Sequence, residues 1–330
     1  MKKRIAINGF GRIGRAAARI ILDNPNLELV AINNPAPAEL DAHLFQFDTN
    51  YGTFKKTVKI ENDGKILNFD GNKIQKFASR DIKELPWKEL EIDVVMECTG
   101  VFKTKETAGE HLNQGAKKLV LSCPAKDKNF KTIVLGVNDD ELTGEETLVS
   151  NGSCTTNGLA PVAKVLHENF GIMSGLMTTI HAYTNGQNIL DVGHKDLRRA
   201  RAAAENIIPT TTGAAKAIGL VLPELDGKLN GISIRVPVST VSIVDLVAKV
   251  EKKVSVEEVH NALQKYSQKN PNILGFETRP LVSKDFQCDP RSSIVDAGQT
   301  MVSDDLVKIL AWYDNEWGYS SRLVELAEKI

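Results

Sequence analysis

Short apolar runs separated by helical spacers fill the first half of the chain. Residues 4–8 predict a strand, residues 12–22 a helix and residues 27–32 a second strand, so the chain opens with one βαβ unit. Four later apolar runs continue the alternation, at residues 93–98, 118–122, 132–135 and 147–149. Strands that alternate with helices indicate a parallel sheet covered on both faces.

Two other patterns interrupt this alternation. Residues 55–77 alternate polar and apolar positions around two Asp-Gly turns, which predicts a small antiparallel insertion. After residue 149 come longer β-branched runs at residues 175–182, 232–238 and 241–250, with helices at 155–168, 256–269 and 315–328. That mixture predicts an α+β domain with a mostly antiparallel sheet. We therefore expect an α/β domain followed by an α+β domain, joined near residue 150.

The composition excludes several classes of protein. The length of 330 residues suits about two domains, and the hydrophobic share of 42% and charged share of 25% are those of an ordinary globular chain. Basic and acidic residues nearly balance, giving a net charge of −1. A dedicated nucleic-acid or membrane-surface binder normally carries a basic excess. We therefore expect no specific nucleic-acid partner and no membrane association.

The cysteines are few and scattered, at Cys98, Cys123, Cys154 and Cys288. They form no C-x-x-C pair and no Cys/His cluster at zinc spacing, so we expect neither a disulfide framework nor a metal site. The start of the chain lacks the apolar core of a signal peptide, and no uninterrupted apolar stretch is long enough to span a bilayer. The expected location is the cytoplasm.

A glycine-rich turn joins the first strand to the first helix. Gly9, Gly11 and Gly14 match G-x-G-x-x-G, in which the glycines permit a tight turn, close approach of a pyrophosphate and close packing of helix on strand. The phosphates then lie at the positive end of the helix. The alternative is a tight turn that binds nothing, but the complete βαβ context favours a dinucleotide site in a Rossmann domain.

The same fingerprint calls for an acidic residue at the end of the second strand, to hold a ribose 2′-hydroxyl. Asn34 stands there instead, and no Arg or Lys accompanies it in the sequence. A neutral amide can donate hydrogen bonds to a 2′-phosphate, which an Asp would repel. Two interpretations stay open: relaxed cofactor choice that leans toward NADP, or an Asn34 that binds the 2′-hydroxyl as an acid would and keeps NAD preferred.

A cysteine begins the helix that follows the change of pattern. Cys154 lies in the polar segment 150–157, between a strand and a helix, where the helix dipole and unpaired N–H groups favour a thiolate. The same N–H groups can stabilise an oxyanion when the thiolate attacks a carbonyl. His181 ends a later strand and is the candidate base. The alternative for a lone cysteine is core packing, and it applies better to Cys98, Cys123 and Cys288.

The most basic segment, residues 195–201, contains Arg199, and Arg235 lies on a predicted strand. Three interpretations are open: a solvated or interface segment, a nucleic-acid site that the charge balance disfavours, and a small-anion site. The hydroxyl-rich segment 210–213 leads into a helix and would add donors to an anion site. A dinucleotide, a nucleophilic cysteine, a histidine base and anion sites together indicate oxidation of a phosphorylated aldehyde.

Six stretches, residues 7–15, 150–157, 181–184, 195–204, 209–217 and 312–320, closely resemble the phosphorylating glyceraldehyde-3-phosphate dehydrogenases. The resemblance covers essentially the whole chain, and the Ser-x-x-Ser-Cys-Thr-Thr-Asn motif is highly specific. It implies that Cys154 attacks the aldehyde to give a thiohemiacetal, with His181 as base. Hydride transfer to the nicotinamide then leaves a thioester that inorganic phosphate cleaves to 1,3-bisphosphoglycerate.

The resemblance also implies binding roles and an assembly. For the cofactor it implies Arg12, Ile13, Asn34, Arg80, Ser122, Asn315 and Tyr319; for substrate phosphate and inorganic phosphate it implies Ser153, Thr155, Thr184, Arg199, Thr212, Gly213 and Arg235. Residues 315–330 would rejoin residues 1–150 in the dinucleotide-binding domain and leave 151–314 as the catalytic domain. The expected assembly is a homotetramer in which residues 183–201 reach a neighbouring subunit's cofactor.

Two departures from the NAD-restricted members of the family bear on the cofactor. Asn34 replaces an Asp, and Val192-Gly193 replaces a Leu-Pro, so both obstacles to a 2′-phosphate are missing and use of both NAD and NADP is expected. Two other functions remain as alternatives. One is an erythrose-4-phosphate dehydrogenase with weak phosphorolysis, and the other is a non-catalytic dinucleotide-sensing or adhesion protein.

Overall fold

The computed structural model describes residues 1–330, which divide into two compact units. Unit 1 comprises Met1–Ile133, Asp140–Gly152 and Ser320–Ile330, and unit 2 comprises Val134–Asp139 and Ser153–Tyr319. Each unit has its own sheet and its own buried apolar core.

Unit 1 is built on a nine-stranded sheet. Its elements are β1 Lys3–Asn8, α1 Arg12–Asp23, β2 Leu27–Asn33, α2 Ala38–Gln46, β3 Val58–Glu61, β4 Ile66–Phe69, β5 Asn72–Phe77, β6 Val94–Glu97, α3 Lys105–Ala108, α4 Glu110–Asn113, β7 Lys118–Leu121, β8 Lys131–Thr132 and β9 Leu148–Ser150. The strand order in the sheet is β3-β4-β5-β2-β1-β6-β7-β9-β8. From β5 to β8 all neighbouring strands run parallel, and β3, β4 and β5 pair antiparallel.

The parallel part of this sheet reflects the apolar runs of the sequence. Strands β1, β2 and β6 are buried along most of their length, as expected when helices cover both faces. The antiparallel segment is not a separate subdomain, because β5 joins β2 and extends the same sheet. The ammonium of Lys3 in β1 donates to the backbone oxygens of Ala327, Glu328 and Ile330, which ties the end of the last helix to the first strand.

Unit 2 is built on an eight-stranded sheet. Its elements are α5 Cys154–Phe170, β10 Ile172–Ala182, β11 Ile208–Thr211, α6 Ala214–Ala217, β12 Leu229–Val236, β13 Ser242–Val250, α7 Val256–Lys269, β14 Leu274–Glu277, β15 Ser293–Asp296, β16 Met301–Ser303, β17 Leu306–Tyr313 and the start of α8 Trp317–Lys329. The main strand order is β11-β12-β10-β13-β17-β15-β14, with β16 paired to β17. Only the β10–β12 and β14–β15 pairs are parallel. The predicted α/β plus α+β fold class is confirmed.

Helix boundaries in unit 2 follow from capping chemistry. Ser153 is the N-cap of α5 and its Oγ accepts from the backbone N–H of Thr156 at 3.0 Å. Ser255 and Glu258 form a reciprocal capping box at the start of α7. Helix α5 packs its apolar residues against β10, β13, β15 and β17 in one large core, so the start of α5 is held rigidly.

One predicted strand is wrong in extent. The strand expected at residues 132–135 ends at Thr132, because Val134 turns away and donates its N–H to the side chain of Asn138 at 2.9 Å. Val134 and Val137 are buried in the core of unit 2 instead. An apolar run cannot distinguish a strand from a segment that leaves one core to enter another.

Among the helices, none combines the length and the apolar character that crossing a lipid bilayer requires.

Candidate active site

Cys154 is the first residue of α5, one position after the Ser153 N-cap. Its side chain is partly buried and packs against the apolar core of unit 2. At this position the sulfur lies among the backbone N–H groups of the first helical turn. The structure therefore places the predicted nucleophile where a developing negative charge is stabilised.

His181, near the end of β10, faces this sulfur. Its Nε2 atom lies 3.5 Å from Sγ of Cys154, and the side chain is buried. The other ring nitrogen, Nδ1, lies 2.7 Å from the carbonyl oxygen of Ala182. Two lone pairs at that distance would repel, so we assign the proton to Nδ1, which donates to the carbonyl. Nε2 is then unprotonated and directed at the thiol, as a general base requires.

Arg235 on β12 is the neighbour of His181 across a parallel strand pair. Its Nη1 donates to the Ala182 carbonyl at 3.0 Å and lies 2.9 Å from Nδ1 of His181, so both nitrogens direct an N–H at the same carbonyl oxygen and neither donates to the other. Burial, reinforced by the positive charge of Arg235, lowers the pKa of His181 to about 3. The imidazole is therefore neutral at physiological pH and available to accept a proton.

Opposing effects act on the thiol. Burial raises the pKa of Cys154, while the charge of Arg235 and hydrogen bonds from Thr155 and the helix backbone lower it, and burial is the larger effect. The hydrogen bonds of the helix start thus favour the thiolate, as the sequence predicts, but burial of the sulfur opposes them more strongly. Formation of the thiolate therefore calls for a nearby base, and Nε2 of His181 lies 3.5 Å from Sγ.

Tyr313 at the end of β17 completes this cluster. Its hydroxyl lies 2.9 Å from Oγ1 of Thr155 and 2.8 Å from Oγ1 of Thr179, and its ring meets that of His181 edge-on with the centroids 6.0 Å apart. Thr155 therefore uses its hydroxyl inside the core. Tyr313 was not singled out from the sequence as a site residue, because its role comes from contacts distant in sequence.

The basic segment contributes one arginine to the same end of the sheet. Nε of Arg199 donates to Oγ1 of Thr210 at 2.9 Å, and Thr210 donates to Asp196 at 2.7 Å. The charge of Arg199 also lowers the pKa of His181, although by less than Arg235 does. The structure thus brings Arg199, Arg235 and His181 into one electrostatic cluster and adds Asp196, which no motif singled out.

The remaining predicted phosphate residues lie in loops and turns of unit 2. Thr184 is exposed just after β10, Thr212 accepts from the backbone N–H of Ala214 at 3.2 Å, and Gly213 is the N-cap of α6. Val192, in the long loop after β10, is exposed, and a side chain at Gly193 would meet only open space.

In unit 1 the predicted dinucleotide turn has the required geometry. Gly9 follows β1 with φ +96°, and a Cβ there would lie 2.6 Å from the backbone N of Thr99. A Cβ at Gly14 would lie 2.1 Å from the carbonyl oxygen of Gly9, so helix and turn are in direct contact. At Gly11, by contrast, a Cβ would meet nothing within 4 Å. Open space beside an uncapped helix start is what a pyrophosphate needs, so these residues fit a dinucleotide.

Other predicted cofactor residues lie at the carboxyl ends of the parallel strands. Asn34 follows β2 and Ser122 follows β7, where its N–H donates to the Glu97 carbonyl at 3.0 Å. Arg80 is exposed in the loop after β5. Arg12 begins α1 beside Ile13, and its guanidinium pairs with Asp48 at 2.5 Å.

Two predicted cofactor residues, Asn315 and Tyr319, belong to unit 2. Both are buried, and Oδ1 of Asn315 accepts from Ser242 at 3.0 Å.

A cation contacts Asn34 although none stands beside it in the sequence. Lys76 of β5 donates from Nζ to the backbone oxygen of Asn34 at 2.6 Å, and Asp41 of α2 accepts from the Asn34 amide at 2.6 Å. Lys76 comes from a strand 42 positions away, so the parallel pairing of β5 with β2, and not local sequence, brings it there.

Comparisons with known proteins agree with this geometry. Residues 3–105 match the NAD binding domain of glyceraldehyde 3-phosphate dehydrogenase, and residues 153–315 match its C-terminal domain. The chain is similar to glyceraldehyde-3-phosphate dehydrogenase A, chloroplastic, of Chlamydomonas reinhardtii, at 54% identity over 99% of this chain and 88% of that protein. It is also 52% identical to the glyceraldehyde-3-phosphate dehydrogenase of Pseudomonas aeruginosa, over 99% of this chain and 98% of that protein. The glyceraldehyde-3-phosphate dehydrogenase of Geobacillus stearothermophilus is 52% identical over 100% of this chain and 98% of that protein. The chain belongs to the glyceraldehyde-3-phosphate dehydrogenase family.

Proposed function

We propose that the protein catalyses the reversible oxidative phosphorylation of D-glyceraldehyde 3-phosphate to 1,3-bisphosphoglycerate with NAD or NADP. The observation that carries this proposal is the 3.5 Å approach of His181 Nε2 to Cys154 Sγ, with Arg235 and Arg199 beside the pair. A thiol, a neutral base and two cations in one cluster are what covalent oxidation of an anionic aldehyde requires.

In the covalent step, His181 Nε2 takes the thiol proton while Sγ of Cys154 bonds to the aldehyde carbon. The proton then passes to the former carbonyl oxygen, which gives a neutral thiohemiacetal. The backbone N–H groups at the start of α5 stabilise the charge that develops on that oxygen. The cysteine converts an aldehyde, which has no leaving group, into a species that can lose hydride.

Oxidation of the thiohemiacetal leaves a thioester on Cys154. A bound NAD(P) supplies the acceptor for the hydride, and His181 accepts the hydroxyl proton as the C=O bond re-forms. An oxygen of inorganic phosphate then attacks the thioester carbon, and the C–S bond breaks. The acyl phosphate leaves and the sulfur recovers a proton from His181, which restores the resting pair.

Phosphate recognition falls to the residues around this pair. We assign the substrate phosphate and inorganic phosphate to Ser153, Thr155, Thr184, Arg199, Thr212, Gly213 and Arg235. The fixed position of Arg199 on Thr210 and Asp196 supports a built anion site, since a guanidinium already oriented loses less entropy on binding. Thr155 is the weakest member, because Tyr313 occupies its hydroxyl.

Dinucleotide binding falls to the turn after β1 and the neighbouring strand ends. We assign it to Gly9, Gly11, Arg12, Ile13, Gly14, Asn34, Arg80, Ser122, Asn315 and Tyr319. In this assignment residues 1–150 with 315–330 form the dinucleotide-binding domain, and residues 151–314 form the catalytic domain.

Assembly as a homotetramer in the cytoplasm completes the proposal. The loop after β10 and the residues just before β11 expose large apolar side chains, namely Ile189, Leu190, Leu197 and Ile207. Exposed apolar groups at this density are typical of a surface that another copy covers. Light scattering coupled to size-exclusion chromatography tests the assembly.

The decisive experiment for the reaction is a dehydrogenase assay with purified protein. Glyceraldehyde 3-phosphate, a dinucleotide and inorganic phosphate should give reduced dinucleotide and an acyl phosphate. Omission of phosphate should stop turnover after one equivalent per Cys154. Erythrose 4-phosphate serves as the competing substrate, and a higher kcat/KM with it, or oxidation that continues without phosphate, would contradict the proposal.

A further inference from the structure

A buried ion pair lies directly behind Asn34. The side chains of Lys76 and Asp41 are almost fully buried, with exposed fractions of 3% and 2%, and their charged atoms lie 3.3 Å apart. Lys76 Nζ also donates to the backbone oxygens of Asn34, Ala36 and Phe77 at 2.6, 3.1 and 2.8 Å. The loop between β2 and α2 is therefore held by a cation from β5.

The carboxylate of this pair fixes the side chain of Asn34. Asp41 Oδ1 lies 2.6 Å from the Asn34 amide nitrogen. An ionised carboxylate only accepts hydrogen bonds, so the nitrogen of Asn34, and not its oxygen, must face Asp41. Oδ1 of Asn34 consequently points away from Asp41, and it is an acceptor.

We propose that Asp41 and Lys76 are positioning residues that set cofactor choice, by holding Asn34 with its acceptor toward the 2′ position of the adenosine ribose. A 2′-hydroxyl can donate to that acceptor, whereas a 2′-phosphate offers only acceptors and is disfavoured. The arrangement gives Asn34 the hydrogen-bonding character of an acid without its charge. This inference rests on the proposed function, because it assumes that the turn after β1 binds a dinucleotide.

The ion pair also limits how strongly NADP is rejected. Lys76 compensates the charge of Asp41, so a 2′-phosphate meets a misdirected amide but no net negative charge. We therefore expect NADP to bind about tenfold more weakly than NAD, a difference of about 1.4 kcal/mol.

Substituting Asp41 or Lys76 separately distinguishes the effect of the Asn34 orientation from the effect of net charge near the 2′ position. Asp41→Asn frees the amide of Asn34 to turn and leaves Lys76 uncompensated, so the ratio Kd(NADP)/Kd(NAD) should fall about tenfold or more. Lys76→Met leaves Asp41 in place without its cation, so the ratio should rise. General damage to the loop would move both ratios in the same direction, which makes opposite shifts diagnostic of the proposed role.

The measurement is equilibrium binding of NAD and NADP to the full chain by calorimetry, with Tm recorded for every variant. Asp93→Asn is the matched control, since Asp93 pairs with Lys117 at 2.7 Å but lies before β6, at the opposite end of the strands. The ratio Kd(NADP)/Kd(NAD) of this variant should equal that of the wild type.

2′-Deoxy-NAD tests the wild-type protein directly. It should bind about five- to tenfold more weakly than NAD, because it lacks the 2′-hydroxyl that donates to Asn34.

The outcomes separate the two proposals. Normal NAD binding with equal affinity for 2′-deoxy-NAD overturns the inference, and so do ratios that stay within twofold of wild type in both variants. If the variants fail to fold, the 2′-deoxy-NAD measurement alone decides. Failure of the wild-type protein to bind either dinucleotide overturns the proposed function and this inference with it.

Discussion

The imidazole of His181 places Nε2 3.5 Å from the sulfur of Cys154, although the two residues are 27 positions apart and belong to a strand and a helix start. The contact is set by α5 packing across β10, with the Ser153 cap fixing where the helix begins. Nucleophile and base are thus held by elements of one rigid core.

Replacing Cys154 by Ser should reduce kcat for glyceraldehyde 3-phosphate oxidation by at least about 10³-fold, because an alcohol is a far poorer nucleophile than a thiol. Steady-state dinucleotide reduction measures the effect. Cys288→Ser is the matched control, since Cys288 is exposed, and it should keep wild-type activity. Appreciable activity in the Cys154 variant would rule out the covalent mechanism.

Buried, neutral His181 should make the protein less stable in acid. Its pKa of about 3 in the folded state lies below the ordinary 6.5, so below pH 6.5 the unfolded chain binds a proton that the folded chain does not. At pH 5 this costs about 2 kcal/mol relative to pH 8. The fall in Tm between pH 8 and pH 5 should therefore be about 4–8 °C smaller for His181→Asn than for the wild type.

Thermal unfolding at the two pH values checks this prediction. His43→Asn, a change to an exposed histidine of α2, should behave as the wild type does. An identical acid loss of Tm in wild type and His181→Asn would show that the imidazole is not held neutral.

Removing the charge of Arg235 should make Cys154 harder to ionise. Arg235 lowers the pKa of Cys154, so Arg235→Gln raises it, and the rate of alkylation by iodoacetamide should shift to higher pH than in wild type. Mass spectrometry of the labelled peptide assigns the reaction to Cys154. A profile that stays in place, or moves toward acid, would contradict the electrostatic role of Arg235.

The glycine turn permits a test that separates folding from binding. Gly11→Ala should leave Tm within about 1 °C, because the added methyl group meets nothing, yet it should weaken NAD binding about tenfold or more by entering the pyrophosphate space. Gly14→Ala should lower Tm as well, because its methyl group would meet the Gly9 oxygen. Unchanged NAD affinity in Gly11→Ala would mean that no pyrophosphate approaches this turn.

Arg199→Ala should raise KM for inorganic phosphate about tenfold or more and affect kcat less, because a guanidinium–phosphate contact is lost while the Cys154–His181 pair stays intact. The phosphate dependence of the initial rate measures this. Arg201→Ala is the control, since Arg201 pairs with Asp191 on an exposed part of the same loop. An equal rise of this KM in both variants would show that the change disturbs the loop generally and that Arg199 makes no specific contact with phosphate.

Local sequence patterns predict most of the fold. The βαβ start, the antiparallel insertion and helix α7 follow from apolar periodicity, turns and caps, each of which is short-range information. The same holds for Cys154 at a helix start. The departure at residues 132–135 arose because apolarity does not tell which of two cores Val134 enters.

The interactions that tune the site could not be obtained in this way. Strand pairing and packing bring Arg235 to His181, Tyr313 to Thr155 and Lys76 to Asn34. The residues of each pair are too far apart in the sequence for a local motif to include both. The ionisation of Cys154 shows the same limit. Sequence context supplies the helix dipole, but the opposing effect of burial depends on the packed core.

The clasp between Lys3 and the backbone of residues 327–330 has a consequence for the order in which the protein is made. Unit 1 draws on both ends of the described chain, whereas unit 2 draws only on residues between 134 and 319. Translation therefore supplies every residue of unit 2 before unit 1 is complete. Strand β1 is synthesised earlier, but Lys3 can bind the backbone of residues 327–330 only after those residues have been made. A chain that ends before residue 320 thus contains every residue of the thiol-bearing unit 2, whereas its unit 1 lacks the segment to which Lys3 binds.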